Sequence, residues 1–338
     1  MRGVVLLGEG ELAVRELEDP IPGRGEVVVR TKAAGICGSD IHMYHSPKKW
    51  REGRPEMAAG HEAAGVVEAV GEGVTLVKAG DRVSVYHYVG CGKCRQCLAG
   101  FRQWCPETKG LGVSAHGGDA DFVLVPEDNC FVLPDELSFI DGAFMACGAG
   151  TTYSAFAKLR PNGTNSLAVF GLGPVGLAGV MTAKAMGAQV VAVGRRQCRL
   201  ELAREFGADY IVDADDPDAP ATIKGLFPNG VDMVYETSGA PEAQAYMLQM
   251  LKRGGEACIV AGKGGKDGIN AGPIIGKQLT IRGSFVLPIW MVPDMAAFMI
   301  RHGLPFEKMV THRFSIDEAE EAFKLFDSGE CGKVVFEW

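Results

Sequence analysis

Four cysteines stand close together as Cys91-x2-Cys94-x2-Cys97-x7-Cys105. Four thiolates in one loop can close a tetrahedral shell around zinc with no coordination position left open, which is the chemistry of a structural metal. An iron–sulfur alternative is raised by the Cys105-Pro106 dipeptide, but the bacterial ferredoxin pattern has three residues before its last cysteine, not seven. A second set is dispersed: Cys37 in Gly35-Ile36-Cys37-Gly38-Ser39-Asp40-Ile41-His42, His61-Glu62 after Gly60, and Cys147 between Ala146 and Gly148. Thiolate, imidazole and thiolate make the three-ligand shell of a catalytic zinc, whose fourth position stays exchangeable. Taken singly, each of these residues also reads as an ordinary buried cysteine or a satisfied core histidine.

A third motif is Gly171-Leu172-Gly173-Pro174-Val175-Gly176, which follows the apolar run Leu167–Phe170 and opens a helical stretch. In that context Gly171 permits a tight turn, Gly173 lets the backbone approach a pyrophosphate, and Gly176 allows close helix–strand packing. The free N–H groups of the helix start favour the phosphate charge. At the end of the next strand, where NAD-binding chains carry a carboxylate, stand Gly194, Arg195 and Arg196. Lack of a carboxylate removes the repulsion against a 2′-phosphate, and Arg195 offers it a charged fork, so the expectation is NADP(H) over NAD(H). Alternatively, both arginines only decorate a solvated helix start.

These motifs need elements to hold them. The first third carries short β-type runs at Val4–Leu7, Val27–Ala34, Ala64–Val70, Arg82–Val85 and Phe122–Val125, separated by Gly and Pro turns. From about Ser166 apolar strands alternate with helical stretches: Leu167–Phe170, Pro174–Met186, Val190–Val193 and Gln197–Phe206, then Met233–Tyr235, Ala257–Ala261 and Leu279–Ile281. Such alternation implies a parallel sheet covered by helices on both faces. Helices near Pro293–Arg301 and Asp317–Phe326 and a strand near Lys333–Phe336 return to the first domain. The expected domains are 1–149 with 288–338, and 150–287.

The 338 residues are 47% hydrophobic and carry a formal charge of −8 with the two signs interspersed, so no basic stripe tracks a phosphate backbone and nucleic acid is excluded as a partner. No run approaches the roughly 20 apolar residues of a membrane span, and the start MRGVVLLGEG lacks a signal-peptide core. The expected location is the cytoplasm.

The combination of motifs resembles the zinc-containing medium-chain alcohol dehydrogenase family over essentially the whole chain, to the closing Ser328-Gly329-Glu330-Cys331-Gly332-Lys333. The resemblance implies an α/β protein with a GroES-like, mainly β catalytic domain and a Rossmann doubly wound parallel-sheet domain, the active site lying in the cleft between them. It makes Cys37, His61 and Cys147 catalytic zinc ligands and Cys91, Cys94, Cys97 and Cys105 structural ones, two zinc ions per chain. It places Asp40 and Glu62 around the catalytic metal, Ser39 and His42 on a proton relay, Thr151 beside the nicotinamide, Arg199 at the adenosine ribose and Lys333 near the pyrophosphate. It also implies a homodimer or homotetramer.

The implied reaction is hydride transfer between an alcohol, polyol or carbonyl substrate and the nicotinamide cofactor. Tyr44–Trp50 and Tyr86-His87-Tyr88 are expected on the substrate wall by the same analogy, with Phe285, Trp290 and Met291 as further apolar wall. His87 stands where relatives acting on simple alcohols carry a large apolar residue, which suggests a polar or polyhydroxylated substrate; the alternative is a histidine bonded to backbone. Three competing readings are a zinc-free enoyl or quinone reductase of the same superfamily, a zinc-module binding protein, and a structural use of the fold without turnover.

Overall fold

In the computed structural model, residues 1–50, 52–262 and 269–338 are described. The chain divides into two compact units, Met1–Gly150 with Pro288–Trp338, and Thr151–Leu287. No helix among the described residues is long and apolar enough to cross a membrane.

The first unit is built on a seven-stranded sheet. Its strand order runs Val310–Phe314, Lys333–Glu337, Glu26–Gly35, Ala63–Val70, Arg82–Val85 and Cys130–Val132, with Phe122–Pro126 also paired to Glu26–Gly35. Alternate valines of these strands (Val27, Val29, Val67, Val83, Val85, Val123 and Val125) point to one side and form a closed core. That follows from the two-residue period of strand side chains. A second core joins Val4, Leu6 and Ile36 to Phe323, Phe326 and Phe336, so the C-terminal helix Ala319–Ser328 and the last strand belong to this unit.

The second unit is a six-stranded parallel sheet in the order Tyr210–Asp213, Gln189–Gly194, Ser166–Phe170, Val231–Glu236, Leu251–Ile259, Thr280–Gly283. The strands are near-continuous apolar runs because both faces are covered; all five residues of Ser166–Phe170 are buried. The order reverses between Ser166–Phe170 and Val231–Glu236, which is the topological switch point where open α/β sheets take ligands at their carboxyl edge. The expected GroES-like and Rossmann architecture is the observed one, with strand ends moved by one or two residues in most cases. The largest shift is Leu251–Ile259, which starts six residues before the expected Ala257.

Candidate active site and metal centres

The dispersed ligands come from three different elements of the first unit. Cys37 is the N-cap of helix Gly38–Tyr44, His61 stands in the turn ahead of strand Ala63–Val70, and Cys147 lies between helices Phe139–Met145 and Gly148–Leu159. One ligand atom from each of Cys37, His61, Glu62 and Cys147 lies within 4.8 Å of every other. The Sγ atoms of Cys37 and Cys147 are 3.9 Å apart. Two sulfurs at about 2.3 Å from a tetrahedral zinc would be about 3.8 Å apart, so the pair fits that ion without rearrangement. A hydrogen bond from Cys147 holds the Cys37 thiol well below its ordinary value, with His61 adding to the effect.

Asp40 connects two of these ligands. Its Oδ2 accepts the backbone N–H of Cys37 at 2.8 Å, capping the helix start, while its Oδ1 accepts from His61 Nδ1 at 3.0 Å. A carboxylate only accepts, so the proton of the imidazole sits on Nδ1 and the Nε2 lone pair is free for a metal. Ser39 Oγ lies 3.4 Å from that Nε2. His42, on the same helix, is exposed.

Glu62 is 1% exposed and closer to the cluster than a supporting role requires, because it supplies one of the four converging donors. Burial pushes its carboxyl up to about 7 against the pull of Lys333. Its Oε2 accepts from Lys333 Nζ at 2.5 Å, and Oε1 has no hydrogen-bond partner. Lys333 is itself buried, donates to Ile36 O at 2.7 Å, and lies 4.8 Å from the centroid of the Phe144 ring. Lys333, expected near the pyrophosphate, has its ammonium paired with Glu62 in the structure.

Sequence reasoning missed Asp119. It is fully buried, neither carboxyl oxygen has a partner, and burial followed by the nearby Asp40 carboxylate holds it well above the ordinary range. It packs on Gly60, whose φ is +81° and where a Cβ would come within 2.2 Å of Asp119 Oδ1. Only glycine fits both demands, so the residue that introduces His61 is dictated by its backbone.

The four-cysteine cluster is local. Cys91, Cys94, Cys97 and Cys105 also bring their sulfurs within 4.8 Å of one another. Backbone N–H groups are aimed at them: Cys97 N at Cys94 Sγ, and Cys91 N and Glu107 N at Cys105 Sγ, each at 3.4 Å. Hydrogen bonds from the Lys93 and Cys94 backbone bring the Cys91 thiol down to about 7. Burial instead pushes the Cys97 thiol up to about 12.

His87 is buried, its ring 5.2 Å from that of His61 and 4.5 Å from that of Tyr88. Burial lowers it to about 3, the field of His61 works in the same direction, and a hydrogen bond with the Ala146 backbone opposes both. Its Nδ1 has no hydrogen-bond partner. The backbone bond and the unpaired nitrogen therefore coexist. Among the expected apolar wall residues, Met291 is buried, whereas Trp290 is exposed and packs over Gly100, and Phe285 is exposed.

In the second unit the glycine turn lies between strand Ser166–Phe170 and helix Pro174–Ala185. Gly171 has φ +83°, and a Cβ there would meet Ser238 at 2.8 Å; at Gly176 it would strike Gly171 O at 1.8 Å. At Gly173 a Cβ would meet nothing within 4 Å, so the backbone there borders open space, as a phosphate cradle requires. Thr152 Oγ1 ties the preceding helix to Val175 O at 3.1 Å and to Tyr235 Oη at 3.1 Å; Thr151 beside it is buried. Gly194 has a packing reason of its own, since a Cβ there would lie 2.7 to 3.2 Å from the Leu172 side chain. Arg195 and Arg196 are exposed and Arg199 is half-buried.

Residues 23–135 match the alcohol dehydrogenase GroES-like domain, and residues 174–301 match the zinc-binding dehydrogenase domain. L-threonine 3-dehydrogenase of Francisella tularensis subsp. novicida (strain U112) is 33% identical over 332 residues, 94% of each chain. Among solved structures, alcohol dehydrogenase TADH from Thermus sp. ATN1 superposes with a TM-score of 0.91 at 29% identity, covering 100% of this chain and 99% of that one. An alcohol dehydrogenase of Escherichia coli CFT073 in complex with NADH (TM-score 0.89, 27% identity) and a zinc-binding dehydrogenase of Sinorhizobium meliloti 1021 bound to NADP (0.87, 29%) each cover 100% of this chain and 99% of their own. The fold and the thiolate–imidazole site define a zinc-dependent oxidoreductase acting on CH–OH groups. The chain belongs to the zinc-containing medium-chain dehydrogenase family.

Proposed function

We propose that this protein is a zinc-dependent alcohol or polyol dehydrogenase that exchanges hydride with NADP(H) in preference to NAD(H). The observation that carries the reading is the convergence of Cys37, His61 and Cys147 at zinc-binding spacing, with Asp40 holding the His61 tautomer. Cys37, His61 and Cys147 would hold the reacting zinc and Cys91, Cys94, Cys97 and Cys105 a structural one. A zinc ion held by the first set would supply a Lewis acid that lowers the pKa of a substrate hydroxyl. Ser39 Oγ, beside His61, is the first group able to accept the hydroxyl proton, and His42 on the same helix is exposed, where it could pass a proton to water.

Preference for NADP(H) now rests on Arg195, because packing by Leu172 accounts for Gly194 without reference to the cofactor. Arg195 is exposed at the carboxyl edge of the sheet, where its fork is available to a 2′-phosphate. The partnerless Nδ1 of His87 supports a substrate with a second hydroxyl or an amino group beside the reacting carbon; the 33% identical L-threonine 3-dehydrogenase is named for a hydroxyl of that kind. A rate panel of simple alcohols, vicinal diols, sugar alcohols and hydroxy amino acids with both cofactors tests all of this. Faster turnover with NADP+ and diols is the expected result. A clear preference for NAD+ removes the Arg195 argument, and no turnover with any alcohol removes the reading.

A further inference from the structure

Glu236 ends strand Val231–Glu236, on the far side of the switch point from the glycine turn's own strand, and it is 0% exposed. Burying a carboxylate is costly unless it is fully hydrogen-bonded, so its presence in a close-packed sheet edge needs a reason. Every contact it makes is as an acceptor. Oε1 takes the N–H of Ser238 at 2.8 Å, the N–H of Gly239 at 3.0 Å and the Ser238 hydroxyl, and Oε2 takes Gln244 Nε2 at 3.3 Å. Gln244 in turn donates to Ala261 O at 3.2 Å, beyond the end of the next strand. The carboxylate thus winds residues 237–239 into a fixed loop.

That loop forms the wall of the glycine turn. Thr237 N donates to Phe170 O at 2.9 Å, and Thr237 Oγ1 donates to Phe170 O at 3.0 Å and to Gly171 O at 2.8 Å. Ser238 lies where a Cβ on Gly171 would be, and Thr237 Oγ1 lies 2.9 Å from where one on Gly176 would be. Two glycines of the fingerprint are therefore shaped against a loop that Glu236 holds. An apolar side chain of similar size would fill the same space but would leave the Ser238 and Gly239 amides without that acceptor.

We infer that Glu236 is a positioning residue for the nicotinamide dinucleotide: it sets the conformation of the Gly171–Gly176 turn through Thr237 and Ser238, and cofactor affinity depends on it. The inference rests on the dehydrogenase reading above. The test is fluorescence titration of the zinc-loaded protein with NADPH and with NADH, together with zinc content and the substrate KM at saturating cofactor. Glu236→Ala should raise the dissociation constant of the preferred cofactor at least about tenfold while the substrate KM and zinc content stay at wild-type values. Glu236→Gln keeps one oxygen for the two amides and should recover affinity to within about threefold. Wild-type affinity in Glu236→Ala overturns the inference.

If Glu236→Ala does not fold, Thr237→Val decides. It removes the hydroxyl bonds to Phe170 and Gly171 at nearly constant volume, and affinity about fivefold weaker is expected, the value of one hydrogen bond near 1 kcal/mol. Unchanged affinity in Thr237→Val overturns the inference. Wild-type protein that binds neither dinucleotide overturns the dehydrogenase reading and this inference with it, whereas wild-type binding with unaffected variants removes the inference alone.

Discussion

The two cysteine-containing clusters of the first unit each gather their donor atoms within 4.8 Å of one another but are assembled in opposite ways. Cys91 to Cys105 lie within fifteen consecutive positions, and their sulfurs are cradled by backbone N–H groups of the same loop. Cys37, His61 and Cys147 are brought from three distant elements, and the groups around them are ionisable side chains: Asp40, Glu62 and Lys333. One cluster offers four sulfurs and no vacancy, which suits a metal that staples a loop. The other has a mixed donor set, a buried carboxylate oxygen without a partner, and a serine beside the histidine, which suits a metal whose surroundings change during a reaction.

The sharpest way to break this comparison is to remove one sulfur from each cluster. Cys37→Ala should lower kcat by more than about 10⁴-fold, leave the far-ultraviolet circular dichroism unchanged, and reduce bound zinc from two ions per chain to one; retained activity with one zinc would dissolve the distinction. Cys94→Ser should instead cost several kcal/mol of stability, read as a lowered Tm and aggregation on warming, because a structural zinc site contributes folding energy directly. Any soluble fraction should keep its catalytic zinc.

Asp40→Asn sharpens the contrast further, since only the dispersed cluster depends on a side-chain carboxylate to orient its ligand. The amide has one acceptor oxygen, which can cap the helix or accept from His61 but not both, and zinc affinity or kcat should fall about 10- to 100-fold. Glu62 supplies the smallest and most specific effect. In the zinc-stripped protein its folded pKa, about 7, is raised above the ordinary value of 4.5. The stabilisation tied to its protonated form is therefore fully present below about pH 4.5 and is lost as pH rises through about 7. Urea titrations of stripped protein should show stability falling across that window with a slope of up to about 1.4 kcal/mol per pH unit, and Glu62→Gln should flatten it. An unchanged slope in that variant would assign the titration elsewhere.

The parallel sheet and the glycine turn were legible because each is written in neighbouring residues: apolar runs of four to six, turns of Gly and Pro, and a fingerprint between strand and helix. The four-cysteine loop was legible for the same reason. The meaning of Gly194 was not, since a glycine there reads as a missing carboxylate, whereas in the structure the Leu172 side chain crowds the position of its Cβ at 2.7 to 3.2 Å. Glu236 stands one residue beyond the expected run Met233–Tyr235, although an acidic residue at the buried end of such a strand is itself a signal.

What the sequence by itself determined is the inventory of candidates: two sets of potential metal donors, a glycine turn between strand and helix, and a fold able to carry both. Only the tertiary structure decided how the charged residues are shared. Lys333 and Glu62 are 271 positions apart, and no local pattern relates them. They meet because the last strand pairs with Glu26–Gly35, and Glu26–Gly35 pairs with Ala63–Val70, the strand that follows Glu62. Asp40 likewise serves two masters because its helix starts at one ligand and faces the other. Hydrogen bonds act over about 3 Å whatever the distance along the chain, so partnerships of buried charges are fixed by packing.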